Sequence, residues 1–511
     1  MSKVNRRNFL KSGATLSAAS LASLPALGRG GPANPASGEN GPFKPYWNSL
    51  RNIPTPQWLR DGKFGIYTHW GVYSVPAYGK NGTWYAHNIY TNHNSDDFKH
   101  HIETYGPLEK FGYKDFIPMF TGSHFDPDEW ADLFKSAGAR FAGPVAEHHD
   151  GFAMWNTKYS EWNAAKMGPK RDVVSELEKA YRNHGLKFMA AFHHAEHWFY
   201  FPTWDNRYDV GDPRYSGLYG AIHPKDVLPD QKFLDVWEGK LIEVVDRYDP
   251  DLVWFDFGLE LVQQSYKKHF AEYYFNRAAA RGKEVIITYK HHDLTPGVGI
   301  YDLELGQETE MTYAEWITDT TIDAGSGWGY VSELGFKTVN ELVTGLVDRV
   351  SKNGFLLLNV GPKPDGTIPE PAKERLKRMG DWLRINGEAI YGTSPWLRAG
   401  EGPTKLKKNG PFNEDNSLQY CAQDIRFTCK NDTLYATVLA WPGEKASITS
   451  LVPQGQTWPG LYPSEIESIQ MLGSDEPIKW EFTKEALELN TPAVKPCDDA
   501  FVYRIKLKRP F

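Results

Sequence analysis

Up to about Trp396 the chain repeats one pattern. A short apolar run of strand length ends abruptly in polar residues, and a helical stretch follows. The runs are Lys63–Thr68, Phe141–Val145, Leu186–Phe192, Leu252–Phe255, Glu284–Tyr289 and Gly354–Val360. Several helices between them announce themselves by their ends and their period. Asp126 and Pro127 open one as an acidic cap and an early proline, Trp130, Leu133 and Phe134 share a face, and Gly138 stops it. Arg171 to His184 repeats the form, with Val174, Leu177 and Tyr181 on one side and Gly185 as the stop. Phe233 to Tyr248 and Val339 to Val350 read as further helices. Strands alternating with helices in this way predict a parallel sheet. After Trp396 the rhythm changes to short alternating runs parted by turn residues: Ile425–Phe427, Leu434–Val438, Ile466–Ile469 and Phe501–Ile505. That pattern predicts an antiparallel β-sandwich of roughly a hundred residues.

The polar residues at the strand ends narrow the fold. His69 and Trp70 follow the first run, and Glu147, His148, His149 and Asp150 follow the second. His193 and His194 follow the third, Asp256 the fourth, and Lys290, His291 and His292 the fifth. Chemistry collected at the C-terminal ends of several parallel strands is the mark of a barrel active site. The expected fold class is therefore α/β: a (β/α)8-like, TIM-type barrel over residues 46–395, followed by an antiparallel β-sandwich over 396–511.

Composition changes the picture in three places. The net charge of −7 comes without a basic stripe, which argues against a nucleic-acid partner. Eighteen Trp residues supply aromatic faces of the kind that stack on sugar rings. The three cysteines, Cys421, Cys429 and Cys497, all lie late in the chain, so cysteine catalysis in the barrel is excluded; they read as small buried hydrophobes. At the N-terminus, Arg6-Arg7 precedes Asn8-Phe9-Leu10-Lys11 and a mildly apolar stretch from Ala14 to Leu27. Residues 1–30 resemble a bacterial twin-arginine export signal, residues 31–45 read as a linker, and a periplasmic or secreted location is expected. The apolar stretch is too short and too rich in Ser and Ala to span a membrane.

Five motifs carry a resemblance to a known family. They are Lys63-Phe64-Gly65-Ile66 with His69-Trp70-Gly71-Val72-Tyr73-Ser74-Val75-Pro76; His148-His149-Asp150-Gly151-Phe152; Trp254-Phe255-Asp256; Gly354-Phe355-Leu356-Leu357-Leu358-Asn359-Val360-Gly361-Pro362; and Asp365-Gly366-Thr367-Ile368-Pro369. In this order they resemble glycoside hydrolase family 29, the retaining α-L-fucosidases, from Gly62 to Ser394. The resemblance implies release of terminal α-L-fucose from a fucosylated oligosaccharide or glycoconjugate, with no cofactor and no metal. It implies Asp256 as nucleophile. It implies that His69, His148 and His149 bind sugar hydroxyls, that Trp84 and Trp254 pack or hydrogen-bond through their indoles, and that Phe192 and Trp328 line the sugar. The chain departs from the pattern at Thr83-Trp84, where many relatives have Glu-Trp. It departs again at Ile317, where many have Glu after the Trp, and at Lys290, which is expected to bind substrate where several offer Arg.

Retaining hydrolysis needs a second carboxyl, protonated near neutral pH, to serve as acid and then base. The resemblance implies that it lies on a loop well after the nucleophile, where Asp302, Glu304, Glu308, Glu310 and Glu315 are all candidates. Glu304, with Leu303 and Leu305 beside it, has the semi-apolar setting that raises a carboxyl pKa. Two other readings compete. The histidine pairs suit a metal-dependent hydrolase, although adjacent residues on a strand point to opposite faces. The departures at Thr83 and Ile317 suit a fucose-binding protein without an acid. The segment after Trp396 has no histidine and no paired acids at a strand end, so it is expected to support the barrel and supply no catalytic group.

Overall fold

A computed structural model of the chain describes residues 41–415, 418–453, 458 and 460–511. The twin arginine, the apolar stretch behind it and most of the linker lie outside the described residues. Eight strands form the first part: β1 (Phe64–Thr68), β2 (Phe141–Glu147), β3 (Lys187–Phe192), β4 (Leu252–Phe255), β5 (Ile286–Tyr289), β6 (Ile300–Asp302), β7 (Trp316–Thr321) and β8 (Gly354–Val360). They pair in sequence order, all parallel, and β8 closes on β1 to make a barrel. Gly65 shows how tight the closure is. It sits opposite Phe141 of β2 and Leu357 of β8, and a Cβ there would meet the Phe141 ring at 2.2 Å.

Both faces of these strands are buried, which is why they read as nearly continuous apolar runs. The period of two sorts them. Tyr67, Val145, Met189, Ala191, Leu252, Trp254, Ile286, Ile317 and Leu357 form one cluster that fills the barrel. Ile66, Phe188, Phe192, Val253, Phe255, Ile287 and Leu358 pack outward with the helices. Those helices are α1 (Pro127–Ser136), α2 (Val173–Asn183), α3 (Gln231–Tyr248), α4 (Gln264–Ala280), α5 (Val339–Ser351) and α6 (Glu370–Asn386). Asp126 and Asp172 cap α1 and α2 by accepting backbone N–H bonds, and Thr338 with Glu341 forms a capping box on α5. The described residues form no helix between β5 and β6 or between β6 and β7. Among the described residues, no helix is long and apolar enough to cross a membrane.

The later strands are β9 (Ser394–Glu401), β10 (Ile425–Lys430), β11 (Thr433–Val438), β12 (Lys445–Ile448), β13 (Ile466–Met471), β14 (Trp480–Phe482), β15 (Leu487–Asn490) and β16 (Phe501–Leu507). They make two antiparallel sheets, a five-stranded one ordered β13-β16-β11-β10-β9 and a three-stranded one ordered β12-β15-β14. Trp396, Phe427, Leu434, Ile448, Leu487 and Phe501 share the core of this part. The three cysteines are free and half-buried, less enclosed than expected.

Between β9 and β10 the chain returns to the barrel. The Phe412 and Glu414 amides donate to the Glu304 and Leu305 carbonyls at 2.8 and 2.7 Å, and the Gly410 amide donates to Gln307 at 2.8 Å. This strap is therefore bonded along the loop after β6, with Gln307 and Gly410 as an antiparallel bridge. Glu414 fixes it: its carboxylate lies 2.7 Å from Lys337 and 2.7 Å from Arg349, and accepts from Thr320 at 2.7 Å. Burial alone would raise this carboxyl, but the two cations and the hydroxyl outweigh it and bring it down to about 2. Glu414→Ala leaves two buried cations uncompensated, so a loss of about 3–5 kcal/mol is expected, seen as a lower urea midpoint. Because the folded-state pKa is depressed, the contribution of Glu414 is full above its ordinary carboxyl range. It fades as pH falls toward 2, so wild type and variant should converge in acid. Equal midpoints at neutral pH would mean that the strap is not held by this group.

Candidate active site

The period of two also aims the side chains that follow the strands. Tyr67 faces the barrel interior, so His69 does too; Trp254 does, so Asp256 does; Leu357 does, so Asn359 does. At the C-terminal mouth these groups converge on a cavity of about 190 Å³. Its walls include Tyr67, His69, Thr83, Trp84, His148, His149, His193, Glu196, Trp254, Asp256, Phe257, Glu304, Asp319, Trp328 and Phe412. The volume falls below the roughly 300–1,000 Å³ of pockets that take drug-sized ligands and suits one sugar ring.

Asp256 is the most heavily supported group. His193 Nδ1 lies 2.8 Å from its carboxylate, His149 Nε2 3.3 Å and Lys290 Nζ 3.6 Å. Burial would raise its pKa, but the two histidines and Lys290 together hold it well below the usual carboxylate range. Glu304 is the opposite case. Burial pushes it up to about 8; Lys290, 2.7 Å away, opposes the rise, while Asp256 and Asp319 add to it. Lys290 therefore lies between the two, touching one carboxylate and one carboxyl that stays protonated at neutral pH. Burial would lower the Lys290 ammonium, but Asp302, Asp319, Glu304 and Asp256 surround it and keep it charged.

The histidines divide by charge. Burial holds His69 and His148 neutral, far below their ordinary pKa. His69 Nδ1 donates to Asn359 Oδ1 at 2.8 Å, and the same oxygen accepts from the His69 amide, so Nε2 remains as an acceptor. His149 is opposed by burial but raised to about 9 by Glu196 and Asp256, and its Nδ1 donates to the His193 carbonyl at 2.9 Å. Neutral and charged imidazoles side by side offer both acceptors and donors to a ring of hydroxyls.

Of the residues anticipated from sequence, His69, Trp84, His148, His149, Trp254, Asp256, Glu304 and Trp328 line the cavity. Lys290 lies just behind the wall, 1% exposed, under the Trp254 and Phe257 rings. Phe192 is a correction. It packs outward against Trp155, because the β3 alternation turns Ala191 and His193 inward and Phe192 away. The other four acidic candidates do not reach the cavity. Asp302 is fully buried and accepts from the Trp254 indole, Glu308 meets Asn409, Glu310 is exposed, and Glu315 pairs with Arg60. His194 is absorbed by Glu147 at 2.7 Å, beside Lys240.

Sequence reading put His193 at a strand end without giving it a role, and missed Glu196, Phe257, Asp319 and Phe412. His193 and Asp319 were recoverable from strand phase, being two residues on from Ala191 and Ile317. Glu196 closes a short 3-10 helix and Phe412 sits in a turn, and neither carries such a signal. The objection to a shared metal site also needs correction. The strand ends at Glu147, so His148 and His149 occupy the turn beyond it and both face the cavity. His69, His148 and His193 bring ligating atoms within 4.8 Å of one another, as do His149, His193 and Asp256. These sets are close enough to hold an ion, and equally close enough to grip a polyol.

The chain matches the Alpha-L-fucosidase family over residues 33–388 and the Alpha-L-fucosidase C-terminal domain over 419–508. It is 32% identical to human plasma alpha-L-fucosidase over 454 residues, covering 86% of each chain. It is 31% identical to rat tissue alpha-L-fucosidase over 454 residues, covering 87% of each. Its fold is similar to that of Thermotoga maritima alpha-fucosidase in complex with fucose, with TM-score 0.72 and 32% identity, covering 91% of this chain and all of that one.

Proposed function

Since the chain belongs to the α-L-fucosidase family and is a glycoside hydrolase, we propose that it releases terminal α-L-fucose by double displacement, with Asp256 as nucleophile and Glu304 as acid/base. The observation that carries the mechanism is the placement of two carboxyls, Asp256 and Glu304, on one cavity against the same Lys290, with burial raising Glu304 and the histidines and Lys290 lowering Asp256. The Asp256 and Glu304 oxygens nearest Lys290 Nζ are no further apart than 3.6 Å and 2.7 Å laid end to end. So short a path is compatible with the roughly 5 Å separation of retaining enzymes.

Fucose enters the cavity with its hydroxyls toward His69, His148, His149 and His193 and its ring against Trp254 and Trp328. Asp256 attacks the anomeric carbon. The bond to the glycosidic oxygen breaks, and that oxygen takes the Glu304 proton. Asp256 loses its negative charge as Glu304 gains one, so the balance around Lys290 stays level and the ammonium serves both halves of the step. Glu304, now a carboxylate, draws a proton from water. The water oxygen bonds to the same carbon, and Asp256 leaves with its charge restored. Two inversions return the α configuration. The small cavity admits one sugar residue at a chain end, which supports exo action.

The test is the first sugar released. Proton NMR during early hydrolysis of an aryl α-L-fucoside should show the α-anomer, appearing before mutarotation, and a chelator should leave the rate unchanged. The β-anomer would overturn retention, and loss of rate with the chelator would favour a metal at the histidines.

A further inference from the structure

The cavity has a depth gradient. At its floor Trp254 is 1% exposed and Trp328 7%; at its rim Phe412 is 57% exposed. Phe412 does not stand alone there. Its ring lies parallel to that of Phe257, 18° apart in plane with centroids separated by 5.9 Å, and both rings line the cavity. Phe257 follows Asp256 directly in the chain, and the Phe412 amide is bonded to the Glu304 carbonyl. The aromatic pair is thus tied by backbone to both carboxyls. Phe412 also holds a positive φ of 56°, a region that a residue with a large side chain enters at a cost. A glycine would suit that backbone better, and an exposed ring adds nothing to a core. Strain and exposure at one residue on the rim point to a ligand.

We infer that Phe257 and Phe412 form a stacking platform for the sugar from which fucose is cleaved, so that this enzyme selects aglycones presenting the apolar face of a hexopyranose. The inference rests on the assignment of Asp256 and Glu304. With fucose held at the buried floor, the glycosidic oxygen must lie within hydrogen-bond reach of Glu304, and the rest of the substrate must leave through the mouth. Phe412, exposed at that mouth beside Phe257, stands on its way. A pyranose ring laid on Phe412 directs its axial C–H bonds at the negative face of the ring, the geometry in which aromatic surfaces bind sugars. Lys290 lies 5.0 Å from the Phe257 centroid, so the cation that serves the two carboxyls also underlies the platform.

The test compares two leaving groups. One substrate is a fucosyl-hexose disaccharide that the wild type cleaves. The other is α-L-fucosyl fluoride, whose leaving group has no ring and needs no proton. Phe412→Gly removes the ring and suits the positive φ, so the strap keeps its path. The ratio of kcat/KM for disaccharide over fluoride should fall about five- to tenfold in this variant. Phe412→Trp should restore it. An equal change with both substrates would assign Phe412 to the fucose site or to the strap alone and overturn the inference, as would an unchanged ratio. Failure of the wild type itself on fucosyl fluoride would instead overturn the double-displacement reading, and this inference with it.

Discussion

Asp256→Ala is expected to abolish hydrolysis of every fucoside, aryl or natural, lowering kcat/KM by about 10⁴-fold or more. The size of the effect follows from the site. Without Asp256 no group remains to bond the anomeric carbon on that face, and His193, His149 and Lys290 lose the anion they were arranged around. Circular dichroism should show a folded protein, since the barrel interior below is closed by Tyr67, Trp254 and Ile317 without it. Added azide enters from the vacated side and should form the fucosyl azide of inverted configuration. Activity above a hundredth of the wild-type rate would remove Asp256 from the central role.

Glu304→Ala should fail differently. A good leaving group needs little protonation, so the fucosyl-enzyme still forms from an aryl fucoside, while natural fucosides fall by about 10²–10⁴-fold. Breakdown of the intermediate slows for want of a base. Azide needs none, so it should restore turnover and yield the fucosyl azide of retained configuration. The unmodified enzyme carries the matching pH signature. With Glu304 raised to about 8, the acid form persists below that pH and is lost above it. The value of kcat/KM on natural fucosides should then decline tenfold per unit on the alkaline side, while Asp256, held well below its usual range, gives no nearby acid limb. Near-normal hydrolysis of natural fucosides by Glu304→Ala would sink the assignment. Glu196, which lines the same cavity and is raised by burial, is the next carboxyl to test.

Much of this site was readable before any coordinates because a barrel converts strand phase into geometry. Trp254 and Asp256 share a parity, as do Tyr67 and His69, and apolar runs that stop at histidine or aspartate mark the mouth. Phe192 was expected at the sugar from the family resemblance alone; strand phase turns it outward and turns His193 in. The helix Gln264–Ala280 escaped notice because it buries residues on several sides, including Lys267, Phe270, Tyr274 and Asn276, and so shows no single apolar stripe. The loop after β6 has no period at all. Spacing and a semi-apolar setting singled out Glu304 there, and its four acidic neighbours were separable only by where their side chains ended. Phe412 was invisible for a different reason. Its part in the site depends on a strap that comes back from beyond β9, and no local pattern records a pairing between segments so far apart in the chain.

That return sets an order in time. Glu304 leaves the ribosome about 110 residues ahead of Glu414, an interval of roughly 5–20 s at ordinary elongation rates. Throughout it a nascent chain already carries Asp256, Lys290 and every histidine of the cavity, yet the carbonyls of Glu304 and Leu305 have no partner strand. The loop that carries Glu304 is therefore among the last parts of the site to gain its pairing, after all eight barrel strands have been made.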